Sequence, residues 1–457
     1  MKFEYFSDDL IMALATPPGR GALAVIRVSG PDSIDKLSLI FSNSLKLKQS
    51  KGYRIHYGWI LDGKERVDEV LVSVFREPNS YTGQDSAEIS CHGGPAVVEK
   101  VMNVLRENGF RDASPGEFTF RAFSNGKMDL TRAEAVNEII DARTDKARAL
   151  AVSRLNGSIE NTVNQIKDML KHQAAAAALA LDYPEEEAEP VSFDLKEIQN
   201  AENSIETLLK TWNIGRIFHD GISVTLAGPA NAGKSSLFNL FLKEERSIVT
   251  EKPGTTRDWV ESWINIGGIP VKISDTAGIR KYTDDPIEQE GIRRTMDLLK
   301  GSDIIIAVAD GSAGKEEAEK LAAEELSFTG KNQHLVKVWN KSDLAPDVPE
   351  GWIGVSALNG SGFDLLEKEI QEITVGRGFS SGSDAPVIDS VRQKNLLEKS
   401  VSALKRLRKG ITDSHGVPVD LLAEDLYEAL DALGELTGEV TRADILETLF
   451  SDFCVGK

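Results

Sequence analysis

A glycine-rich loop, Gly228-Pro229-Ala230-Asn231-Ala232-Gly233-Lys234-Ser235 with Ser236 behind it, is followed in chain order by Asp275-Thr276-Ala277-Gly278 and then by Asn340-Lys341-Ser342-Asp343. Such a loop turns its backbone N–H groups onto phosphate oxygens at a helix N-terminus. Lys234 brings positive charge to the outer phosphates, and the Ser235 hydroxyl ligates Mg²⁺. Asp275, at a strand end, completes the metal site. Asp343 accepts two hydrogen bonds from the ring N–H and exocyclic amine of guanine, donors that adenine lacks. A site built to satisfy such groups rejects a ligand without them by roughly 10⁴-fold or more. The three segments, in this order, predict GTP and GDP as ligands in preference to ATP.

Hydrolysis needs a group that orients water. Ile279 stands where many small GTPases carry a glutamine for that purpose, and the carboxylates Asp284, Asp285, Glu288 and Glu290 follow it. No arginine finger is evident. Such a finger contributes about 10³ to 10⁵ in rate, roughly 4 to 7 kcal/mol, and a monovalent cation is the alternative source of so large an electrostatic term.

These motifs sit in a chain of 457 residues, long enough for about three domains of ordinary size. Lys and Arg number 53 against 72 Asp and Glu, a net charge of -19, so the surface as a whole repels nucleic-acid phosphates. RNA contact then requires a local basic patch or a partner. The run Lys405-Arg406-Leu407-Arg408-Lys409 is one candidate patch, and Glu185-Glu186-Glu187 with Glu189 is its acidic counterpart. Both read first as solvated surface. Two cysteines, Cys91 and Cys454, suit a reducing cytoplasm rather than a disulfide framework. Residues 1–20 show no leader pattern, and the longest strongly apolar stretch, Ala174 to Leu181, is too short to cross a bilayer. The expectation is a soluble, cytoplasmic protein with no membrane span.

Periodicity assigns the elements that must position these residues. Short β-branched runs at Leu23 to Val28, Val70 to Phe75 and Glu88 to Cys91 predict an α+β domain over 1–124. Thr131-Arg132-Ala133-Glu134 has the spacing of a helix-starting capping box. Apolar residues then recur at helical spacing through Val136, Ile139, Ile140, Leu150, Leu155, Val163, Ile166 and Leu170. After the acidic, proline-flanked break at Tyr183 to Pro190 the pattern resumes through Ile198, Ile205 and Leu208, giving an all-α region over 125–219. From Ile222 strands alternate with helices: Ile222 to Ala227, Val271 to Ser274, Ile304 to Ala309 and Leu335 to Trp339 predict a Ras-like α/β P-loop domain over 220–378. Gly376 to Pro386 reads as an exit linker. Helical periodicity returns through Leu396, Leu397, Val401, Leu404 and Leu407, so the α/β domain is inserted in a helical one whose second part covers 379–457.

Several blocks together resemble the MnmE (TrmE) family of tRNA modification GTPases over essentially the full length. They are Ala15-Thr16-Pro17-Pro18-Gly19-Arg20-Gly21, Tyr81-Thr82-Gly83, His92-Gly93-Gly94, Pro115-Gly116-Glu117-Phe118 through Phe123, the nucleotide motifs, and Phe453-Cys454-Val455-Gly456-Lys457. The resemblance implies a homodimer, formed through an N-terminal domain that binds 5-formyltetrahydrofolate or a related tetrahydrofolate. It also implies a partnership with FAD-dependent MnmG (GidA) in adding a carboxymethylaminomethyl or aminomethyl group to C5 of the wobble uridine of certain tRNAs. By the same resemblance the catalytic carboxylate is Glu288, in a segment that is one residue longer than the usual family pattern and contains Pro286.

The family also implies K⁺ at the P-loop asparagine, here Asn231, with Thr250, Lys252 and Thr255. These lie in the segment Thr250-Glu251-Lys252-Pro253-Gly254-Thr255-Thr256, where Thr256 joins the Mg²⁺ shell. Ser356-Ala357-Leu358 matches the loop that supports the guanine carbonyl. Arg27, Glu88, Lys127 and Lys457 match folate-contacting positions, and their chemistry suits a pterin ring and a carboxylate tail.

His92 beside Cys91 invites a metal or nucleophile pair. Adjacent strand residues point to opposite faces, so a structural reading is preferred there. Cys454 differs, because a terminal segment can deliver a thiolate to a neighbouring site, and it is the second catalytic candidate. A regulatory or ribosome-assembly GTPase is the alternative reading, but it leaves the N-terminal blocks and the Cys454 tail unused. A folate-dependent transferase with a purely regulatory GTPase domain is the third.

Overall fold

The computed structural model describes residues 9–182, 193–243, 261–275, 296–328, 330, 333–376, 386–413, 417–440, 443–451 and 453–457. The predicted linker between Gly376 and Pro386, the acidic run and the segments carrying Thr250 to Thr256, Thr276 to Gly278 and Glu288 lie outside the described residues. The chain divides into two compact units. One joins Met1–Ile140, Arg154–Ile205 and Asn395–Lys457; the other joins Asp141–Ser153 and Glu206–Lys394.

In the first unit six strands, β1 (Ile11–Leu14), β2 (Leu23–Ser29), β3 (Arg54–Asp62), β4 (Glu65–Phe75), β5 (Ser86–His92) and β6 (Arg111–Asp112), form a sheet of order β3-β4-β5-β2-β1-β6. All pairs are antiparallel except β1 with β6. The period-two rule is visible in β2, where Ala24, Ile26 and Val28 are buried while Leu23, Val25 and Arg27 face the other way. The buried face packs on helices Ser33–Leu39 and Pro95–Glu107 through Ile34, Leu37, Val101, Val104 and Leu105.

Helices Leu130–Asp141, Ser158–Asp182, Leu195–Lys210, Val391–Thr412, Val419–Thr437 and Ala443–Ser451 supply the helical part. The predicted stripe residues Val163, Ile166, Leu170, Ile198, Ile205, Leu208, Leu397, Leu404 and Leu407 are buried. One local expectation is corrected. The helix at Leu130 is started by Asp129, whose carboxylate accepts from the Arg132 N–H at 3.0 Å and from the Thr131 hydroxyl at 2.8 Å, so Thr131 lies inside the first turn. The basic run of 405–409 is committed to ion pairs in part, since Arg406 Nε donates to Asp425 at 2.7 Å and Arg408 Nε to Glu202 at 2.8 Å.

Helix Glu117–Ser124 is anchored by charge rather than by apolar contact alone. Arg121 and Glu117 have fully buried side chains 2.9 Å apart, and Arg111 reaches the same Glu117 carboxylate at 2.6 Å. Arg121 also donates to the Asp9 carbonyl at 2.8 Å. The Asp9 carboxyl lies below the usual carboxylate range, because hydrogen bonds from Arg111 and Arg121 outweigh the upward push of burial. The same helix meets the chain end: Gly116 takes φ 69° where a Cβ would lie 2.7 Å from the Phe450 carbonyl oxygen, and the Phe118 N–H donates to the Lys457 carbonyl at 3.2 Å. Phe450 and Phe453 are buried with Leu130, Ala133 and Val136.

The second unit contains β7 (Ile222–Ala227), β8 (Glu261–Ile266), β9 (Ile269–Asp275), β10 (Ile304–Asp310), β11 (His334–Asn340) and β12 (Ile353–Val355) in the order β12-β11-β10-β7-β9-β8. All pairs are parallel except β8 with β9. The inner strands read as continuous apolar runs, as strands covered on both faces do, and Ile304 to Ala309 are all buried. The protein is therefore multidomain, with an N-terminal α+β part, a helical part and an inserted α/β P-loop domain. Among the described residues no helix is long and apolar enough to cross a membrane.

Arg121→Met removes one partner of a buried ion pair, and its expected cost is about 3 kcal/mol in urea unfolding. The double exchange Glu117→Leu with Arg121→Met is expected to cost less, since it leaves no buried charge behind. Equal losses for the single and double variants would contradict this account.

Candidate functional site

The glycine-rich loop follows β7 and opens helix Lys234–Phe241. Its path requires positive φ at Gly228 (143°), Asn231 (67°) and Gly233 (90°). A Cβ on Gly228 would lie 2.4 Å from the Val308 carbonyl oxygen, and one on Gly233 would lie 2.1 Å from Asn340 Nδ2. Both glycines are thus demanded by close approach as well as by conformation. Lys234 is buried, and its ammonium donates to the carbonyls of Gly228 and Pro229 at 2.9 Å each, at the centre of the loop.

Ser235 Oγ donates to Asp275 Oδ2 at 2.7 Å, which joins the helix start to the end of β9. The other carboxylate oxygen, Asp275 Oδ1, is buried without a hydrogen-bond partner among the described residues. An unpaired carboxylate oxygen beside a hydroxyl is a donor set that fits a hard divalent cation such as Mg²⁺.

The loops predicted to read the base follow β11 and β12. Asn340 is buried; its Nδ2 donates to the Ala232 carbonyl at 2.7 Å, and its Oδ1 accepts from the Ala357 N–H at 3.1 Å. One amide therefore ties the phosphate loop to Ser356-Ala357-Leu358. Lys341 takes φ 61° and pairs through Nζ with Asp310 Oδ2 at 2.6 Å. Burial pushes the Asp310 carboxyl up, but hydrogen bonds from Lys341 and Ser312 prevail and hold it below its ordinary value. The Ser342 N–H donates to the Val355 carbonyl at 3.2 Å, leaving Asp343 exposed at the tip, and Leu358 is also exposed. Lys234, Ser235, Asp275, Asn340 and Ala357, from three segments far apart in sequence, are thus brought together around the glycine-rich loop. Ser236 sits on the same helix with its side chain exposed.

A second constellation lies on the sheet of the first unit. Arg27 and Glu88 face each other in the register of β2 and β5, and Arg27 Nε and Nη2 donate to Glu88 Oε1 at 3.1 and 2.8 Å. Arg27 Nη1 donates to the Gly456 carbonyl at 2.9 Å, and its guanidinium lies 5.6 Å from the Tyr81 ring centroid and 5.7 Å from that of Phe118. Burial and the charge of Arg27 hold the Lys457 ammonium below its usual range, with Glu88 and Cys454 acting against them. Burial raises the Tyr81 phenol. Cys454 is exposed, in a turn closed by the Lys457 N–H donating to the Cys454 carbonyl at 3.3 Å. Lys127 stands apart from this group; its Nζ donates to the Pro78 carbonyl at 2.8 Å, at the start of the loop that carries Tyr81.

His92 and Cys91 diverge as strand geometry requires. Cys91 is buried with its thiol pushed up to about 11 by burial and by Asp68, while His92 is exposed with Nδ1 2.7 Å from Asp68 Oδ1.

Residues 10–127 match the family model described as the GTP-binding protein TrmE N-terminus, and residues 130–454 match the MnmE helical domain. A protein of Treponema denticola named tRNA modification GTPase MnmE is 42% identical over 478 residues, spanning 99% of each chain. Its namesake in Carboxydothermus hydrogenoformans is 41% identical over 468 residues, 98% of this chain and 100% of that one. The chain belongs to the MnmE family of tRNA modification GTPases. Among solved structures, the G domain of the Thermotoga maritima FeoB iron transporter is 26% identical over 33% of this chain and 98% of that one, with a TM-score of 0.27.

Several residues of these sites escape sequence reasoning. Tyr81 and Gly456 lie within the blocks that resemble the family, yet their contacts with Arg27 depend on a loop and a chain end that meet only in the fold. Asp310 gives a weaker signal, a lone carboxylate closing an apolar strand. In this MnmE-family site, replacing Asp343 by Asn exchanges one acceptor oxygen for a donor amide. Asp343→Asn is expected to weaken GTP binding by about 10³-fold or more and to favour a purine that carries a carbonyl in place of the exocyclic amine. Competition between GTP and xanthosine triphosphate measures it, and unchanged GTP affinity would rule out base reading by Asp343.

Proposed function

We propose that this chain is a K⁺-stimulated GTP hydrolase that acts with the FAD-dependent partner MnmG to place a carboxymethylaminomethyl or aminomethyl group on C5 of the wobble uridine of certain tRNAs. The observation that carries the reading is the near end-to-end likeness to proteins named tRNA modification GTPase MnmE, supported by the hydrogen bonds that join the glycine-rich loop to Asp275 and Asn340. In this reading the protein works in the cytoplasm as a homodimer.

Within the site, the loop N–H groups and Lys234 bind and orient the phosphates, Ser235 and Asp275 hold Mg²⁺, and Asp343 reads the base. Mg²⁺ supplies charge neutralisation at the phosphates when bound. Glu288 is the residue proposed to orient and deprotonate water. Asn231, with Thr250, Lys252 and Thr255, is proposed for K⁺, and Thr256 for the metal shell; of these only Asn231 is among the described residues. Its positive φ turns the loop sharply at that point, which is compatible with a cation held by loop oxygens.

The Arg27, Glu88 and Lys457 group fits a tetrahydrofolate cofactor by its donor set. Glu88 has a second carboxylate oxygen for the pterin's N–H groups, the cations balance a carboxylate tail, and Lys127 is proposed to lie at the margin of the site. Cys454 is proposed as a nucleophile or proton carrier for the transferred group, because its turn is tied to Arg27 through Gly456.

GTP turnover is expected to be at least ten-fold faster in KCl than in NaCl at equal ionic strength; equal rates would remove the cation from the mechanism. The function as a whole is tested by mass spectrometry of tRNA nucleosides from cells lacking the gene. The C5-substituted uridine is expected to vanish and to return on complementation with the intact chain. A nucleoside profile that never changes would favour a switch GTPase without RNA chemistry.

A further inference from the structure

Residues 141–153 lie far ahead of the nucleotide motifs in sequence yet fall in the same compact unit. Thr144 Oγ accepts from the Ala147 N–H at 3.3 Å and starts helix Asp145–Leu155. Ala147 is buried in the core that contains Ile217, Phe218, Ile264 and Ile269. Just ahead of the helix, the exposed Arg143 lays its guanidinium 3.7 Å from the centroid of the Trp263 ring. The same indole rests on Gly221, where φ is 79° and a Cβ would lie 2.6 Å from the ring. The methylene stem of Lys146 crosses the turn between β8 and β9 so closely that a Cβ on Gly268 would lie 2.4 Å from its Cδ. The hairpin is therefore held at its tryptophan and at its turn by one short segment.

What that hairpin carries gives the contact its consequence. Among the described residues β8 is an edge strand bonded to the sheet only through β9. Trp263 pairs with Lys272, from which β9 runs through Ile273 and Ser274 to Asp275, the carboxylate that meets Ser235. A cation stacked on an indole face is a directional attraction, unlike apolar contact, so it fixes orientation as well as proximity.

We propose that Arg143 is a positioning residue for the divalent-cation site: stacked on Trp263, it sets the β8–β9 hairpin and through it the Asp275 carboxylate. The inference rests on the guanine-nucleotide reading and adds to it a residue from outside the contiguous α/β segment. Loss of the stack leaves the base and phosphate contacts intact and loosens only the Asp275 side of the site. The signature is a changed Mg²⁺ requirement with little change in metal-free nucleotide affinity.

The test uses the full chain and the release of a fluorescent GDP analogue, followed as free Mg²⁺ is varied. Arg143→Ala is expected to need about five-fold more Mg²⁺ to slow release half-maximally, with affinity in EDTA within two-fold of the parent. Arg143→Lys recovers less than half of the shift, because an ammonium lacks the planar face. Ala147→Gly serves as the control for mere destabilisation: it is expected to lower the melting temperature without moving the Mg²⁺ requirement. If Arg143→Ala does not fold, Trp263→Phe, which keeps a weaker ring platform, is expected to shift the requirement in the same direction by a smaller factor. An Mg²⁺ requirement within two-fold of the parent in the folded variant overturns the role of Arg143. A parent chain that does not bind the GDP analogue overturns instead the nucleotide reading on which it rests, and one whose GDP release ignores Mg²⁺ overturns the assignment of Mg²⁺ to Ser235 and Asp275.

Discussion

A parallel sheet brings loops to one edge but does not fix their mutual positions, and in the nucleotide unit the Asn340 side chain does that. Its amide has one donor directed at the Ala232 carbonyl and one acceptor receiving the Ala357 N–H, so the phosphate loop, the end of β11 and the loop after β12 share a single rigid junction. The constraint is severe in both directions. Gly233 must be glycine because Asn340 Nδ2 occupies the space of a Cβ, and Asn340 is buried, so loss of either bond would strand a polar group away from water. The loops that carry Asp343 and Lys234 are thereby geometrically coupled without any ligand, which is the condition for preorganised recognition.

The first unit solves a comparable problem with charge. Arg27 divides its donors between Glu88 on the neighbouring strand and the Gly456 carbonyl near the chain end, so one guanidinium joins the sheet to the tail. Gly456 takes φ 95° and passes 3.0 Å from the Leu14 carbonyl oxygen, measured to the position of a Cβ, and that close approach keeps the tail flat against β1. Phe450 and Phe453 bury the preceding turn. Apolar burial thus brings the segment to the sheet, and the directional bonds from Arg27 set where Cys454 and Lys457 stand.

The nucleotide unit was legible in the sequence because its strands are apolar runs and its motifs sit at their ends; β7 has the bounds predicted from Ile222 to Ala227. Helical stripes were legible for the same reason, since Val163, Ile166 and Leu170 follow a period that only a helix satisfies. The helix starts at Leu130 rather than after Thr131, although Thr131 and Glu134 have capping-box spacing, because Asp129 accepts from the Arg132 N–H and takes Thr131 into the first turn. What periodicity cannot reveal is where a helical segment packs. Residues 141–153 carry the same texture as their neighbours, and it is long-range contact, Ala147 among Ile264 and Ile269 with Arg143 on Trp263, that assigns them to the nucleotide unit. Compactness is a property of contacts at long sequence separation, whereas the change of texture at Ile222 marks a change of local period.

The two cysteines show how environment, not residue type, decides which group can react. Cys91 sits on the core side of β5, where burial and the Asp68 carboxylate both disfavour the thiolate and raise the thiol to about 11, while its neighbour His92 turns outward to Asp68. A thiolate there is scarce at neutral pH, and no path leads from a core position to a large substrate. Cys454 is exposed, carried on a turn whose position is set by the Arg27 bond to Gly456, and it acts electrostatically on Lys457. Accessibility, a fixed backbone and nearby cationic groups are the conditions under which a cysteine becomes useful chemistry. Of the two, Cys454 is the accessible one, and the turn that carries it is held by the Arg27 bond to Gly456.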